Sequence, residues 1–599
     1  MKMYYIKKIN YKSIIFVLLC IFLFFAFDII LRLKICELSI SESFYNILAF
    51  DYDLLFIIVF LFVFFITYNF CSKKIAEIFL LFIFSFFYII FIVNYLLITI
   101  KKVPLSIDIL FFSDEGLNYL NFVFDKFDLT FFLISLFLLI IIIIIMFLYN
   151  SIPYKKASFT NSFIGLSILF LLFVFVLFMC KKDLYSITEY NYVSKKIYYD
   201  KYNSTVDSFA VLGFYEYIFR DSVLHLSNNY ELNNYEYEIN NFFSDLDRKD
   251  EKNDKTGIFK DKNLILIMME SIDNYVVNDR VTPNIMFLKN NGWNFTSRYS
   301  YLPSGGSTIS TEFTSLNGLF LSGSNDFVFS NKYPQSIPNV FNNSGYNTIS
   351  MHQNTCDFYD RCVLHSNEMF NNSYFLLDMD KNININDDLQ LVNNDEYYNL
   401  IVPKDGNKFM SYIITMAAHG PYDDKNICNN HPTSKDCFEY LSSNTDAFIG
   451  RLIERLKEDN LFDDTVIVLY TDHQSFTFDY PKSYLKTLKN IDGNYNIKAI
   501  PFIIYSNDIK NENFDMLVND IDLGPTIFNL FGIDYDHNHY LGVDVFSKDH
   551  RNLLMFSNNA WYDGKNYGSG LNFENYHYTY KILSISDYII YDNYYEKNY

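Results

Sequence analysis

The chain has 599 residues, a formal net charge of −20, and a composition that is 51% hydrophobic. That length allows several domains, and the acidic balance excludes nucleic acid or any other polyanion held by general electrostatics. The composition is uneven: Phe, Ile and Leu dominate residues 1–182, whereas Asn, Asp and Tyr dominate the rest and carry most of the negative charge.

From the N-terminus, five apolar runs have membrane-spanning length, at 13–33, 53–70, 76–98, 129–149 and 162–180. Lys2, Lys7, Lys8 and Lys12 precede the first run. Lys73 and Lys74 separate the second from the third, and Lys155 and Lys156 the fourth from the fifth. The loops at 34–52 and 99–128 carry more acid than base. Basic loops stay on the cytoplasmic side, so the expected topology has a cytoplasmic N-terminus, with everything after residue 182 outside the membrane. Lys181 and Lys182 oppose this rule but face three concordant loops. A cleaved signal peptide is the alternative for the first run, yet no small-residue cleavage site follows it and four further runs do. The loop 99–128 contains "SIDILFF" and "LNYLNFVFDKF", amphipathic segments expected to lie on the outer leaflet.

Residues 183–258 are polar, Tyr-rich and charged, and read as juxtamembrane helices ending in a linker. From 259 to 599 the pattern becomes that of a domain. The strand-like runs "NLILIMME", "YNTISMH", "FMSYIITMAAH", "TVIVLYTD" and "KAIPFIIYSN" alternate with helix-like runs. In "NTDAFIGRLIERLKEDN", Phe448, Leu452, Ile453 and Leu456 recur at helical spacing. "TPNIMFLKNNG" has Pro in its first turn and Gly at its end, and "DLGPTIFNLFG" is similar. Alternation of this kind predicts an α/β domain with a mostly parallel central sheet.

Of the eight cysteines, Cys20, Cys36, Cys71 and Cys180 lie in or beside the apolar runs and read as small apolar residues. The other four form two close pairs, Cys356 with Cys362 and Cys428 with Cys437. Outside the cytoplasm these pairs are expected to form disulfides rather than remain four thiols. Neither has the Cys-x₂₋₄-Cys spacing of a zinc site.

In a parallel sheet, ligands bind at the carboxyl ends of the strands. Glu270 ends "NLILIMME", His352 ends "YNTISMH", His419 ends "FMSYIITMAAH", and Asp472 with His473 ends "TVIVLYTD". One polar strand end is ordinarily a cap or a solvated tip, but four together point to a site. Two carboxylates and an imidazole make a mixed oxygen and nitrogen centre for a divalent cation, with a position left open. The segment "SGGSTISTEFTSLNGLF" supplies a nucleophile: Gly305 and Gly306 allow close backbone approach, and Thr308 stands where a helix would begin. A hydroxyl there ordinarily caps the helix. Beside a cation it can ionise, and the helix N-terminus favours both the alkoxide and an incoming phosphate.

In order, "MMES", "GGSTISTEF", "MHQNTCDFYDR", "MAAHGPY", "YTDHQ" and "DIDLGPTIFNLFGI" resemble the alkaline-phosphatase/sulfatase superfamily. Within it they resemble the lipoteichoic acid synthase and phosphoglycerol transferase branch, which also joins five spans to an exported sulfatase-like domain. The resemblance implies that Glu270, Asp472 and His473 hold the metal, Mn²⁺ in that family, with Mg²⁺ or Zn²⁺ as alternatives. It implies that Thr308 is the nucleophile and touches the metal. It also implies that His352, Tyr359, Arg361 and His419 hold a glycerophosphate head group. Two positions depart from the family pattern: Ser307 stands where Lys is usual, and Tyr359 where Trp is expected. The implied reaction moves a glycerophosphoryl group from phosphatidylglycerol through Thr308 to a cell-envelope glycolipid or glycan. Alternatives on the same scaffold are a phosphoethanolamine transferase, a phosphodiesterase and a sulfatase-like hydrolase. The Cys/Ser-x-Pro-x-Arg motif of true sulfatases is missing near Thr308. A transporter would be expected to carry ionisable residues within its spans, and these spans hold few beyond Asp28, Arg32 and Glu77.

Overall fold

The computed structural model describes residues 11–36, 51–100, 104–106, 129–184, 205–227, 235–246, 248, 252–302, 308–321, 331–422, 428, 431, 433–475, 478–493, 495–557, 559–568 and 573–598. The outer-leaflet helix expected in 99–128 falls almost wholly outside these residues. The chain divides into two compact units, Met1–Asn228 and Asn229–Tyr599.

Five helices of the first unit are long and apolar enough to cross a membrane: Tyr11–Cys36, Asp51–Phe70, Lys73–Ile100, Leu129–Ser151 and Phe159–Leu184. Phenylalanine packing joins them, with the Phe24 ring 4.8 Å from Phe60 and 5.3 Å from Phe56. Buried among them is a polar cluster in which Arg32 pairs with Asp28 at 2.7 Å and Asp53 at 3.3 Å. A sixth helix, Thr205–Ser227, packs on the first two. Its backbone breaks at Gly213 (φ 78°), and the Phe214 N–H donates to Asp28 Oδ1 at 2.7 Å. A Cβ at Gly213 would lie 2.4 Å from the Arg32 guanidinium, so the close approach requires glycine. The segment 183–258 is thus shared between the units: its first described helix packs in one, and Tyr235–Leu246 packs on Phe573–Asp592 in the other.

The second unit is built on an eight-stranded sheet. Its strands are β1 (Asn263–Met269), β2 (Trp293–Arg298), β3 (Asn347–His352), β4 (Asn372–Phe375), β5 (Phe409–Ile414), β6 (Thr465–Thr471), β7 (Phe502–Tyr505) and β8 (Glu512–Val518). They lie in the order β4-β3-β5-β1-β6-β7-β2-β8, and β7 alone runs against the others. The central strands β1, β5 and β6 are buried along their whole length, as apolar β-branched runs covered on both faces must be. Helices Pro283–Asn291 and Ser434–Glu458 cover one face with Ile285, Leu288, Phe448 and Leu452. Helix Leu523–Phe531 covers the other with Ile527, Phe528 and Phe531. The long helix begins ten residues before the expected 444, capped by the Thr433 side chain, which accepts from the Asp436 N–H. The strands β2, β4 and β8 were not among the predicted runs.

Candidate active site and metal centre

Strand register places the first two acids together. On adjacent parallel strands β1 and β6, Met269 stands opposite Thr471, so the following residues, Glu270 and Asp472, emerge side by side. Asp472 then turns back on its own chain. Its Oδ1 accepts the N–H of His473 (2.7 Å) and of Ser271 (2.9 Å). The turn brings two adjacent residues, which a regular strand would point apart, onto one centre. His473 Nε2 lies 3.2 Å from Asp472 Oδ2 and 3.8 Å from Glu270 Oε1. All three ligand atoms fall within 4.8 Å of one another, and all three residues are buried.

This donor set fits a cation. His473 Nδ1 donates to the Gln474 carbonyl at 3.0 Å, so in the neutral ring the Nε2 lone pair faces two carboxylates. Asp472 Oδ2 is buried and accepts no hydrogen bond. Burial and the adjoining Glu270 push the Asp472 carboxyl well above its usual range. Burial also raises Glu270, but the His419 and His473 imidazoles outweigh it and hold that carboxyl below its usual value. The centre gathers two carboxylates around one imidazole, a set that a positive charge completes.

Thr308 opens the helix Thr308–Asn317, and its hydroxyl donates to Glu270 Oε2 at 3.0 Å. Gly305, Gly306 and Ser307 lie outside the described residues. All ten residues of this helix are buried although most are polar. Several of its polar side chains find partners within the fold. Thr311 donates to the Asp472 carbonyl (2.8 Å), Glu312 receives Arg361 and His365, and Asn317 donates to Glu368 (2.6 Å).

The remaining predicted residues are placed as follows. His419 follows β5 in a loop fixed by buried Asp388, whose Oδ1 accepts the Met416 and Ala417 N–H groups at 2.8 and 3.1 Å. The electrostatic influence of His419 reaches Glu270. His352 ends β3 with Nδ1 3.4 Å from the Ile414 carbonyl, and its buried Nε2 has no hydrogen-bond partner. Burial and the Arg361 charge lower its pKa well below the imidazole range. Arg361 is fully buried, with its guanidinium 5.0 Å from the Tyr359 ring and 5.5 Å from Phe358. Both disulfides, Cys356–Cys362 and Cys428–Cys437, are formed; the first closes a short loop that contains Tyr359 and Arg361.

Sequence reasoning missed Thr311, Glu312, His365 and Asp388. The usable signal was in "STISTEF": Glu312 lies four residues after Thr308, one helical turn along the same face.

Residues 262–533 match the Sulfatase family model. Lipoteichoic acid synthase 2 of Bacillus subtilis is 24% identical over 328 residues, 50% of each chain. A lipoteichoic acid synthase of Staphylococcus aureus is 27% identical over 333 residues, again 50% of each chain. The match therefore spans about half the length of these curated relatives. In fold, the chain is similar to a lipoteichoic acid synthase of Listeria monocytogenes, with a TM-score of 0.51 at 21% identity, covering 59% of this chain and 98% of that one.

Proposed function

We propose, for a chain that belongs to the alkaline-phosphatase/sulfatase superfamily in its lipoteichoic acid synthase branch, that it transfers glycerophosphoryl groups at the outer membrane surface. The donor is phosphatidylglycerol and the acceptor a glycerol hydroxyl on a cell-envelope glycolipid or glycan. One observation carries this reading. The Thr308 hydroxyl, at a helix N-terminus, lies 3.0 Å from Glu270 in the buried cluster completed by Asp472 and His473.

Glu270, Asp472 and His473 would hold the cation, and the mixed oxygen and nitrogen set suits Mn²⁺, with Mg²⁺ or Zn²⁺ as alternatives. When bound, the cation lowers the pKa of a neighbouring hydroxyl and offsets charge on the phosphate. Thr308 Oγ1 attacks the phosphorus. The Oγ1–P bond forms, the P–O bond to diacylglycerol breaks, and the departing oxygen takes up a proton. In the second half the acceptor hydroxyl loses a proton, attacks the same phosphorus and frees Thr308. Arg361, permanently charged and forked, suits a phosphate oxygen. Neutral His352, with Nε2 free, suits a head-group hydroxyl as hydrogen-bond acceptor. His419, near Glu270, suits proton transfer to the leaving group. Tyr359 supplies an aromatic wall beside Arg361. An outside location for the domain fits its two disulfides.

The test is Thr308→Ala, assayed with labelled phosphatidylglycerol and Mn²⁺. The variant is expected to keep its fold and metal but to lose turnover and the covalent adduct of glycerophosphate mass seen on wild type. Thr308→Ser keeps the hydroxyl and should keep measurable turnover. An alanine variant that releases diacylglycerol near the wild-type rate would mean that water attacks, making the protein a phosphodiesterase.

A further inference from the structure

Glu312 sits one turn after Thr308, so the two side chains share a face of one helix. Glu270 takes the Thr308 hydroxyl, whereas Glu312 takes the groups that follow β3. Its Oε2 accepts Arg361 Nε at 2.9 Å and faces Arg361 Nη2 at the same distance. Its Oε1 accepts His365 Nε2 at 2.7 Å, while His365 Nδ1 and Ser350 Oγ on β3 share a hydrogen bond of 2.9 Å. The carboxylate thus requires a proton on His365 Nε2 and faces the positive charge of Arg361. All three side chains are fully buried. A buried ion pair is weak evidence of stability, because desolvation offsets most of its attraction. What this one does supply is geometry. The guanidinium has a planar fork, and two of its nitrogens are tied to a carboxylate on the nucleophile's own helix.

We infer that Glu312 is a positioning residue: it holds the Arg361 guanidinium in register with Thr308, so that nucleophile and phosphate clamp move as one piece. The inference rests on the reading above, in which Arg361 holds the phosphate and Thr308 attacks it. Burial alone would raise the Glu312 carboxyl, but Arg361 and His365 hold it down at about 2, so the carboxylate is charged whenever Arg361 is in place. Glu312 does not itself meet substrate, since its two oxygens are already taken.

The test is a double-mutant cycle on the full-length chain in detergent with Mn²⁺. Glycerol 3-phosphate serves as the binding probe and phosphatidylglycerol turnover as the kinetic readout. Glu312→Gln and Arg361→Ala should each raise the probe Kd and the KM about 10-fold or more, with a smaller change in kcat. The double variant should be no worse than Arg361→Ala, because a residue acting through another has nothing left to position. Glu312→Asp keeps the charge at shorter reach and should fall between wild type and Gln; it carries the cycle if Glu312→Gln does not fold. Multiplying effects in the double variant, or a Glu312→Gln protein that binds the probe as wild type, would overturn the inference alone. An Arg361→Ala protein that binds as wild type would overturn the phosphate assignment and the inference together.

Discussion

The carboxylates of Glu312 and Asp472 are equally buried, yet their surroundings differ. Around Glu312 a guanidinium and an imidazole are aimed at the two oxygens, and a serine completes the imidazole. Around Asp472, one oxygen takes two backbone N–H groups while the other faces Glu270 and His473 across a gap with no hydrogen bond. A folded chain matches its buried polar groups, so the matched cluster reads as framework and the unmatched one as the place where a ligand completes the arrangement. The difference is testable by removal: taking a member from the matched cluster leaves an orphan, whereas taking one from the unmatched cluster relieves a conflict.

The largest effect should come from the unmatched side. Glu270→Ala, Asp472→Ala and His473→Ala should each lower turnover by about 10³-fold or more, because several kcal/mol of charge stabilisation depends on the cation. Bound Mn²⁺ should fall in each variant while unfolding midpoints in metal-free buffer hold or rise. Full Mn²⁺ occupancy in all three variants would break the comparison, since the cluster would then be another buried network.

Among the matched acids, pH sharpens the contrast. Glu312, held at about 2 against a usual 4.5, contributes stability that is present above about 4.5 and lost as pH falls through about 2. Asp388 behaves oppositely. Burial raises its carboxyl to about 6 from a usual 3.8, despite donors from Gln353, Thr445, Met416 and Ala417. The folded chain then binds a proton that the unfolded chain has released. Its stabilising contribution is complete below about 3.8 and declines as pH rises through about 6, by roughly 3 kcal/mol. Denaturant unfolding between pH 4 and 6 should show this decline in wild type. In Asp388→Asn the slope should flatten, whatever the absolute cost of the change.

These contrasts also mark what could be read from the residues alone. β1, β3, β5 and β6 were legible because each is an apolar run followed by polar residues; Glu270, His352 and Asp472 stand at strand ends, whereas His419 lies five residues beyond Ile414, where β5 stops, in a loop. Thr308 was legible from the glycines before it. β2 was not, because "WNFTSR" changes from buried to exposed midway, and β4 spans only four residues. β8, at the sheet edge, buries only its last two residues and carries Glu512 and Asp515 among its apolar residues. The first turns of helix Ser434–Glu458 hide among Ser, Lys, Asp and Glu, although Cys437, Phe438 and Leu441 point inward. Glu312 was legible only in part: "STISTEF" puts it on the Thr308 face, but its partners lie 49 and 53 residues away, and no local pattern announces a pair that only the fold assembles.

The disulfide between Cys356 and Cys362 bears on the matched cluster, because its loop carries Tyr359 toward Arg361. Tyr359 and Asp360 both have left-handed backbone, at φ 62° and 49°, a conformation that costs non-glycine residues energy and persists when the surroundings impose it. Reduction of both bridges should remove about 2 to 3 kcal/mol for each, by the chain-entropy relation for short loops. It should raise the KM for phosphatidylglycerol while leaving bound Mn²⁺ unchanged. Intact mass after alkylation of the unreduced protein checks the premise; four labelled thiols would rule the bridges out.

The smallest effect should come from a bond joining the Thr308 helix to the end of β6. Thr311 Oγ1 donates to the Asp472 carbonyl at 2.8 Å, and both residues are fully buried. Thr311→Val keeps the shape and removes only the hydroxyl. Because the carbonyl is left unpaired, the expected cost is about 1 kcal/mol of stability. The bond touches the backbone of Asp472, not its ligand oxygens, so Mn²⁺ affinity should fall by about 10-fold at most, the lower end for groups that support a metal ligand. Turnover should fall in proportion at limiting Mn²⁺ and recover at saturation. Thr311→Ser restores the donor and should restore both quantities. If Thr311→Val lost stability yet bound Mn²⁺ as wild type, the bond would be framework alone. A loss as large as that of Asp472→Ala would instead mean that the strand tip has no fixed position without the helix, and the matched and unmatched clusters would have to be treated as one.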